Sequence, residues 1–255
     1  MRSPGSSNKV LAGFLVIALS VVAFADEHIT LRDYCPPGFE LTDSNVCELH
    51  TLYDGYDSLN DAGVGGLKTA LPRARDGFSP QQIDLGRSLF FDPLLSGDNS
   101  VSCASCHHPD LGFTDGRPRA AGIGGAEVKR GAPSLWNVAF LAKFFWDARA
   151  SSLEEQMQGP LYAPDEMGTS PADLIRKLGE NTAYVKLFQQ AFPGSEGPPS
   201  LGNVYTAIAA FQTSLISLNS RYDQYAHGYH DALTDNEIKG MNIFRSFVAR
   251  CAECH

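Results

Sequence analysis

Cys103-Ala104-Ser105-Cys106-His107 decides how this chain is read. Two thiols three positions apart can each bond one former vinyl group of the same porphyrin. The adjacent imidazole then reaches the iron as an axial ligand, which makes the run a c-type haem attachment motif. Such a run also suits a redox Cys-x-x-Cys pair or half of a zinc site. Both weaken because the pattern returns as Cys251-Ala252-Glu253-Cys254-His255. A redox pair has no reason to be followed by His twice, and a zinc site would need the two distant copies to act jointly. The second copy is as good a motif as the first, but the sequence stops on its ligand, so haem loading there stays open.

A helix is predicted ahead of each motif. Ser79 is a good N-cap, Pro80 suits the first helical position and Gln82 completes a capping-box pattern. Ile83, Gly86, Leu89 and Phe90 then share one face, and Asp92-Pro93 stops the helix. Thr234-Asp235-Asn236-Glu237 repeats the capping box. Ile238, Met241 and Phe244 follow, with Phe247 and Val248 extending the face. Lys239-Gly240-Met241-Asn242-Ile243-Phe244 aligns with Leu85-Gly86-Arg87-Ser88-Leu89-Phe90, so an internal duplication is expected. Between the two units residues 171–192 and 203–218 read as helical. Residues 193–199 read as a loop and 222–230 as a linker, and strand signals are few.

The chain has 255 residues, 43% hydrophobic and 19% charged, which excludes a disordered chain. Residues 1–25 look like an export signal, with Arg2 and Lys9 before an apolar run of 15 residues and Ala23-Phe24-Ala25 as the cleavage site; the alternative is an uncleaved anchor. Without them 18 basic residues stand against 29 acidic ones, and no Lys/Arg run exists to neutralise phosphates, so nucleic acid is not an expected partner. In an oxidising compartment, Cys35 and Cys47 suit a disulfide that closes a turn-rich loop, worth ~3 kcal/mol; the alternative is two unpaired thiols.

From about Phe78 onward the sequence resembles the bacterial di-haem cytochrome c peroxidase family, which includes the methylamine-utilisation (MauG-type) di-haem oxidases. The resemblance runs in order through Leu85-Gly86-Arg87-Ser88-Leu89-Phe90-Phe91-Asp92-Pro93, the first haem motif, Gly112-Phe113-Thr114-Asp115-Gly116 and Ala132-Pro133-Ser134-Leu135-Trp136-Asn137. It continues through Phe145-Trp146-Asp147-Ala148-Arg149-Ala150, Leu153-Glu154-Glu155-Gln156, Gly159-Pro160-Leu161 and Pro164-Asp165-Glu166-Met167-Gly168. It implies a mainly α fold with two cytochrome c-like units in tandem, the second incomplete. Residues 26–78 form an N-terminal extension, 79–232 the peroxidatic haem c domain and 233–255 the start of an electron-transfer haem c domain.

The resemblance also implies roles. His107 is similar to the proximal ligand of the peroxidatic haem, and Cys251, Cys254 and His255 to the attachment site of the second. Trp146 resembles the indole between the haems, an oxidisable bridge. Glu166 resembles the distal acid–base residue, a carboxylate able to move a proton between peroxide oxygens. The implied reaction is reduction of hydrogen peroxide to water in the periplasm. Its electrons would come from a small cytochrome c or cupredoxin, and a homodimer is allowed. A MauG-type oxidase acting on a partner protein and a non-enzymatic haem carrier or inactive fragment are the alternatives.

Four departures matter. No His occurs from residue 109 to 226, so the loop Gly122-Ile123-Gly124-Gly125-Ala126-Glu127 lacks the blocking imidazole of many relatives, and the haem face is expected to be open. Gly131 replaces an Asn that helps hold calcium in relatives, which counts against calcium. Ala148 replaces the usual Gly. The second unit stops at His255, so the length reads as a cut. Among other residues, His108 is expected to be exposed, His227 and His230 to be solvated, and Arg117, Arg119 and Arg149 are candidates to pair with haem propionates.

Overall fold

The computed structural model describes residues 29–50, 72–195 and 197–253. It is mainly helical, and its only named strands among these residues form a two-stranded antiparallel ribbon, β1 (Phe39–Leu41) with β2 (Cys47–Leu49). The ribbon lies in the N-terminal extension 26–78. A disulfide joins Cys35 to Cys47 beside it, and the Cys47 amide donates to the Phe78 carbonyl at 2.8 Å.

Helix α1 (Pro80–Phe91) starts on Ser79, whose side chain accepts from the Gln82 amide in a complete capping box. The attachment motif forms the single turn α2 (Cys103–Cys106). Two short helices follow, α3 (Leu153–Gln156) and α4 (Gln158–Tyr162). The stretch 171–192 is two helices rather than one, α5 (Pro171–Glu180) and α6 (Thr182–Ala191). Asn181 divides them because its side chain caps the second, accepting from the Ala183 and Tyr184 amides. Helix α7 (Leu201–Thr213) carries the inner layer of the core, with Val204, Ala207, Ile208, Ala209 and Ala210 buried.

Helices α1 and α7 cross at Gly86. A Cβ there would stand 1.8 Å from the Ala207 carbonyl oxygen, so only glycine lets the two backbones come this close. The crossing buries Leu85, Leu89 and Phe90 completely. The Phe90 ring packs against Phe211 at 5.0 Å and Phe113 at 6.3 Å, and lies 6.5 Å from the His107 ring. The core therefore reaches directly to the haem motif.

The stretch 222–230 is not only a linker, since α8 (Arg221–Ala226) occupies its first half. His227 is half-buried rather than solvated, its Nδ1 bonded to the Asp223 carbonyl at 2.8 Å. The last helix, α9 (Asp235–Phe244), has the capping box on Thr234 and no buried residue. It stops at Phe244, so Phe247 and Val248, 92% and 95% exposed, lie beyond it and do not extend its face. Among the described residues no helix is long and apolar enough to cross a membrane.

Candidate haem-attachment and acid–base site

Ser102 opens the α2 turn, with its amide bonded to Ser105 Oγ at 3.0 Å, and the His107 amide closes it on the Cys103 carbonyl at 2.9 Å. Cys103 and Cys106 are unpaired. Burial pushes the Cys103 thiol up to about 12. Burial also raises Cys106, with added repulsion from Asp115 and Glu166 and opposition from Arg117.

His107 Nδ1 donates to the Phe113 carbonyl at 2.9 Å. A carbonyl only accepts, so Nδ1 carries the proton and the Nε2 lone pair stays available to a metal. Burial holds the imidazole below its ordinary pKa, which favours the neutral ligand form. The Phe113 carbonyl is brought back by two left-handed residues, Gly112 (φ 68°) and Phe113 (φ 57°), and the Phe113 ring is pinned edge-on by Trp136 at 5.2 Å. His108 turns away and accepts from the Asp110 amide at 3.3 Å. Two free thiols and a neutral, oriented imidazole on one turn are the donor set haem c requires, so Cys103, Cys106 and His107 fit that group.

Glu166 lies in the turn after α4, where its amide donates to the Ala163 carbonyl at 3.0 Å. The Gly-rich loop clamps this turn. The Ile123 amide donates to the Glu166 carbonyl at 2.8 Å, and a Cβ on Gly122 would stand 2.1 Å from the Asp165 carbonyl oxygen. The same loop begins at Ala121, whose carbonyl lies 3.7 Å from Cys106 Sγ. The loop thus bridges the second attachment cysteine and the turn that carries Glu166. Burial raises the Glu166 carboxyl above its ordinary value, with Asp165 adding to the rise and Arg149 opposing it. In the sequence this loop stands out for its missing His and for its glycines, with no strand-turn-helix pattern around it to make it a phosphate loop. Its glycines were the available signal of a close backbone approach.

Trp146 stands at the tip of a hairpin closed between Phe144 and Ala150, and is 94% exposed. Phe145 and Ala148 are both left-handed, at φ 64° and 57°. The Arg149 guanidinium lies 3.4 Å over the Phe145 ring and bonds Asp147 at 2.7 Å, while Arg119 pairs with Glu127 at 3.5 Å. Carbonyls of Arg117 and Pro118 stand 3.0 and 3.1 Å from the place of a Cβ on Gly131. Among the described residues no hydrogen bond or ring contact joins Trp146 to Glu166. Cys251 Sγ lies 3.6 Å from the Ala249 carbonyl; Cys254 and His255 lie outside the described residues, as does the stretch 1–25 that reads as an export signal.

The sequence model of the di-haem cytochrome c peroxidase family matches residues 80–231. The chain is 42% identical over 177 residues to the methylamine utilization protein MauG of Methylorubrum extorquens, covering 69% of this chain and 50% of that one. It is 37% identical over 177 residues to the cytochrome c551 peroxidase of Pseudomonas aeruginosa, covering 69% and 51%. A solved MauG-like protein associated with microbial copper homeostasis superposes with a TM-score of 0.67 at 36% identity, covering 73% of this chain and 55% of that one. The chain thus spans about half the length of the relatives it matches. Matched by the family model over more than half its length, this chain belongs to the di-haem cytochrome c peroxidase family.

Proposed function

We propose that the protein reduces hydrogen peroxide to water in the periplasm, after export on residues 1–25, with electrons from a small cytochrome c or cupredoxin. The observation that carries this reading is the Gly122–Ile123 clamp, which holds a half-buried carboxyl beside the loop that contacts Cys106. Haem c attached through Cys103, Cys106 and His107 supplies the redox chemistry toward peroxide when bound.

Glu166 takes the proton from one peroxide oxygen and returns it to the other, so that the O–O bond breaks toward water. Its raised pKa brings carboxyl and carboxylate closer in energy near neutrality than at an exposed site. His107, fixed by the Phe113 carbonyl, presents Nε2 to the metal without rotating. Trp146 serves as the electron relay to a second haem held by Cys251, Cys254 and His255. The Arg149–Phe145 stacking in the hairpin under the indole favours that role. Residues 79–232 act as the peroxidatic domain and 233–255 as part of the electron-transfer domain.

The absence of His between residues 109 and 226 favours a second reading, a MauG-type oxidase that withdraws electrons from a partner protein. Counting covalent haems by mass and mixing the ferric protein rapidly with peroxide tests the shared part of both. Reaction without prior reduction is expected, and a requirement for prior reduction counts against an open site. Steady turnover with reduced cytochrome c selects the peroxidase reading; oxidation of a partner protein without such turnover selects the other.

A further inference from the structure

The Lys177 side chain on α5 is half-buried. Its Nζ lies 2.6 Å from the Ser96 carbonyl, 3.2 Å from that of Gly97, 3.4 Å from that of Leu94 and 2.7 Å from Asn99 Oδ1. Three carbonyl dipoles of one short loop converge with an amide oxygen on a single point. Such an arrangement repels itself unless a cation sits there, and an ammonium brings three donors to the four oxygens. Asn99 is left-handed at φ 60°, a conformation Asn tolerates better than most residues.

The loop so gathered touches both halves of the site. The Gly97 amide donates to the Met167 carbonyl at 2.7 Å, and a Cβ on Gly97 would stand 2.5 Å from the Gly168 carbonyl oxygen. Ser96 is fully buried, and its Oγ accepts from the Val101 amide at 3.3 Å, two residues before Cys103. The Glu166 turn is therefore in contact with two loops, the Gly-rich loop at Asp165 and Glu166 and the 96–99 loop, through Gly97, at Met167 and Gly168.

We propose that the Lys177 ammonium is the built-in cation of an oxygen cage, and that through Gly97 it is a positioning residue for Glu166. The positioning half rests on the reading of Glu166 as the proton carrier; the cage does not. A cage of this kind, once emptied, binds a small free cation.

The test uses the haem-loaded protein. Lys177→Ala is melted and mixed with peroxide in methylammonium chloride and in choline chloride at equal ionic strength. In choline the Tm is expected to fall by roughly 5 °C and the rate of reaction with peroxide about tenfold. Methylammonium restores both. Lys177→Met, whose side chain fills the space without a charge, loses as much and gains nothing from methylammonium. In a Glu166→Gln background Lys177→Met lowers Tm but slows the reaction no further. Should Lys177→Ala fail to fold in choline, the yield on refolding in methylammonium is the readout. A variant that melts with the wild type, or that methylammonium and choline affect alike, overturns the cage. A restored Tm with a rate that never changed overturns the link to Glu166. If Glu166→Gln alone reacts like the wild type, the acid–base reading fails while the melting results still judge the cage.

Discussion

Gly122 lies so close to Glu166 that a Cβ on the glycine would stand 2.6 Å from the Glu166 carbonyl oxygen. Gly122 is at φ −91°, a value any residue adopts, so contact alone demands glycine here.

Gly122→Ala is therefore expected to displace the Glu166 turn. A stability loss of about 2–3 kcal/mol follows from forcing a methyl into backbone, with a slower peroxide reaction. Gly124 gives the contrast, because it is left-handed at φ 63° and has nothing within 4 Å of its Cβ position. Gly124→Ala should cost only ~1–2 kcal/mol of backbone strain and leave the rate near wild type. Equal losses in rate for the two variants would remove the clamp from the account of Glu166.

Glu166 lies above the ordinary glutamate value of 4.5 because it is buried. A base must first be deprotonated, so the peroxide rate should rise with pH through a limb above that value. Glu166→Gln should abolish the limb and slow the reaction roughly 10²-fold or more. A carboxyl whose folded pKa is raised stabilises the fold below its unfolded pKa, and that contribution is lost as pH rises through the folded pKa. The Gln variant should thus gain Tm relative to wild type at pH 7 and gain little near pH 4. Melting curves at the two pH values decide the sign.

Gly86 and Gly240 occupy matching places in the two repeated helices but meet different surroundings. Gly86→Ala drives a methyl into the Ala207 carbonyl and should cost about 2–3 kcal/mol or more. No described atom lies within 4 Å of a Cβ at Gly240, so Gly240→Ala in this 255-residue chain should gain ~0.5–1 kcal/mol of helix propensity. Urea melts of both variants check the asymmetry, and a destabilised Gly240→Ala would mean that something presses on α9.

Ala148 holds φ 57° in the hairpin below Trp146. Relief of left-handed strain should make Ala148→Gly more stable by ~0.5–1 kcal/mol, after glycine's own entropic cost. A lower Tm for the glycine variant would show that the alanine methyl has a packing role.

The sequence was most legible where the physics is local. The haem motif depends on the spacing of three side chains, and the helix starts at Ser79 and Thr234 depend on caps within one turn. The break at Asn181 was missed because the apolar positions of α5 and α6 run on through it, although Asn is a strong cap. The extent of α9 was overestimated because Phe247 and Val248 keep a helical spacing that the backbone abandons after Phe244.

The sequence by itself determined the attachment motif, the mainly helical class and the family, because those rest on residue types at short, fixed intervals. Only the tertiary structure decided what surrounds Glu166. Gly122 meets it across 44 positions of chain, and Lys177 reaches the Ser96 carbonyl across 81. Neither interval has a period or a motif. Each is set by how the helices pack into one core, which fixes where loops of unrelated sequence come to rest against one another.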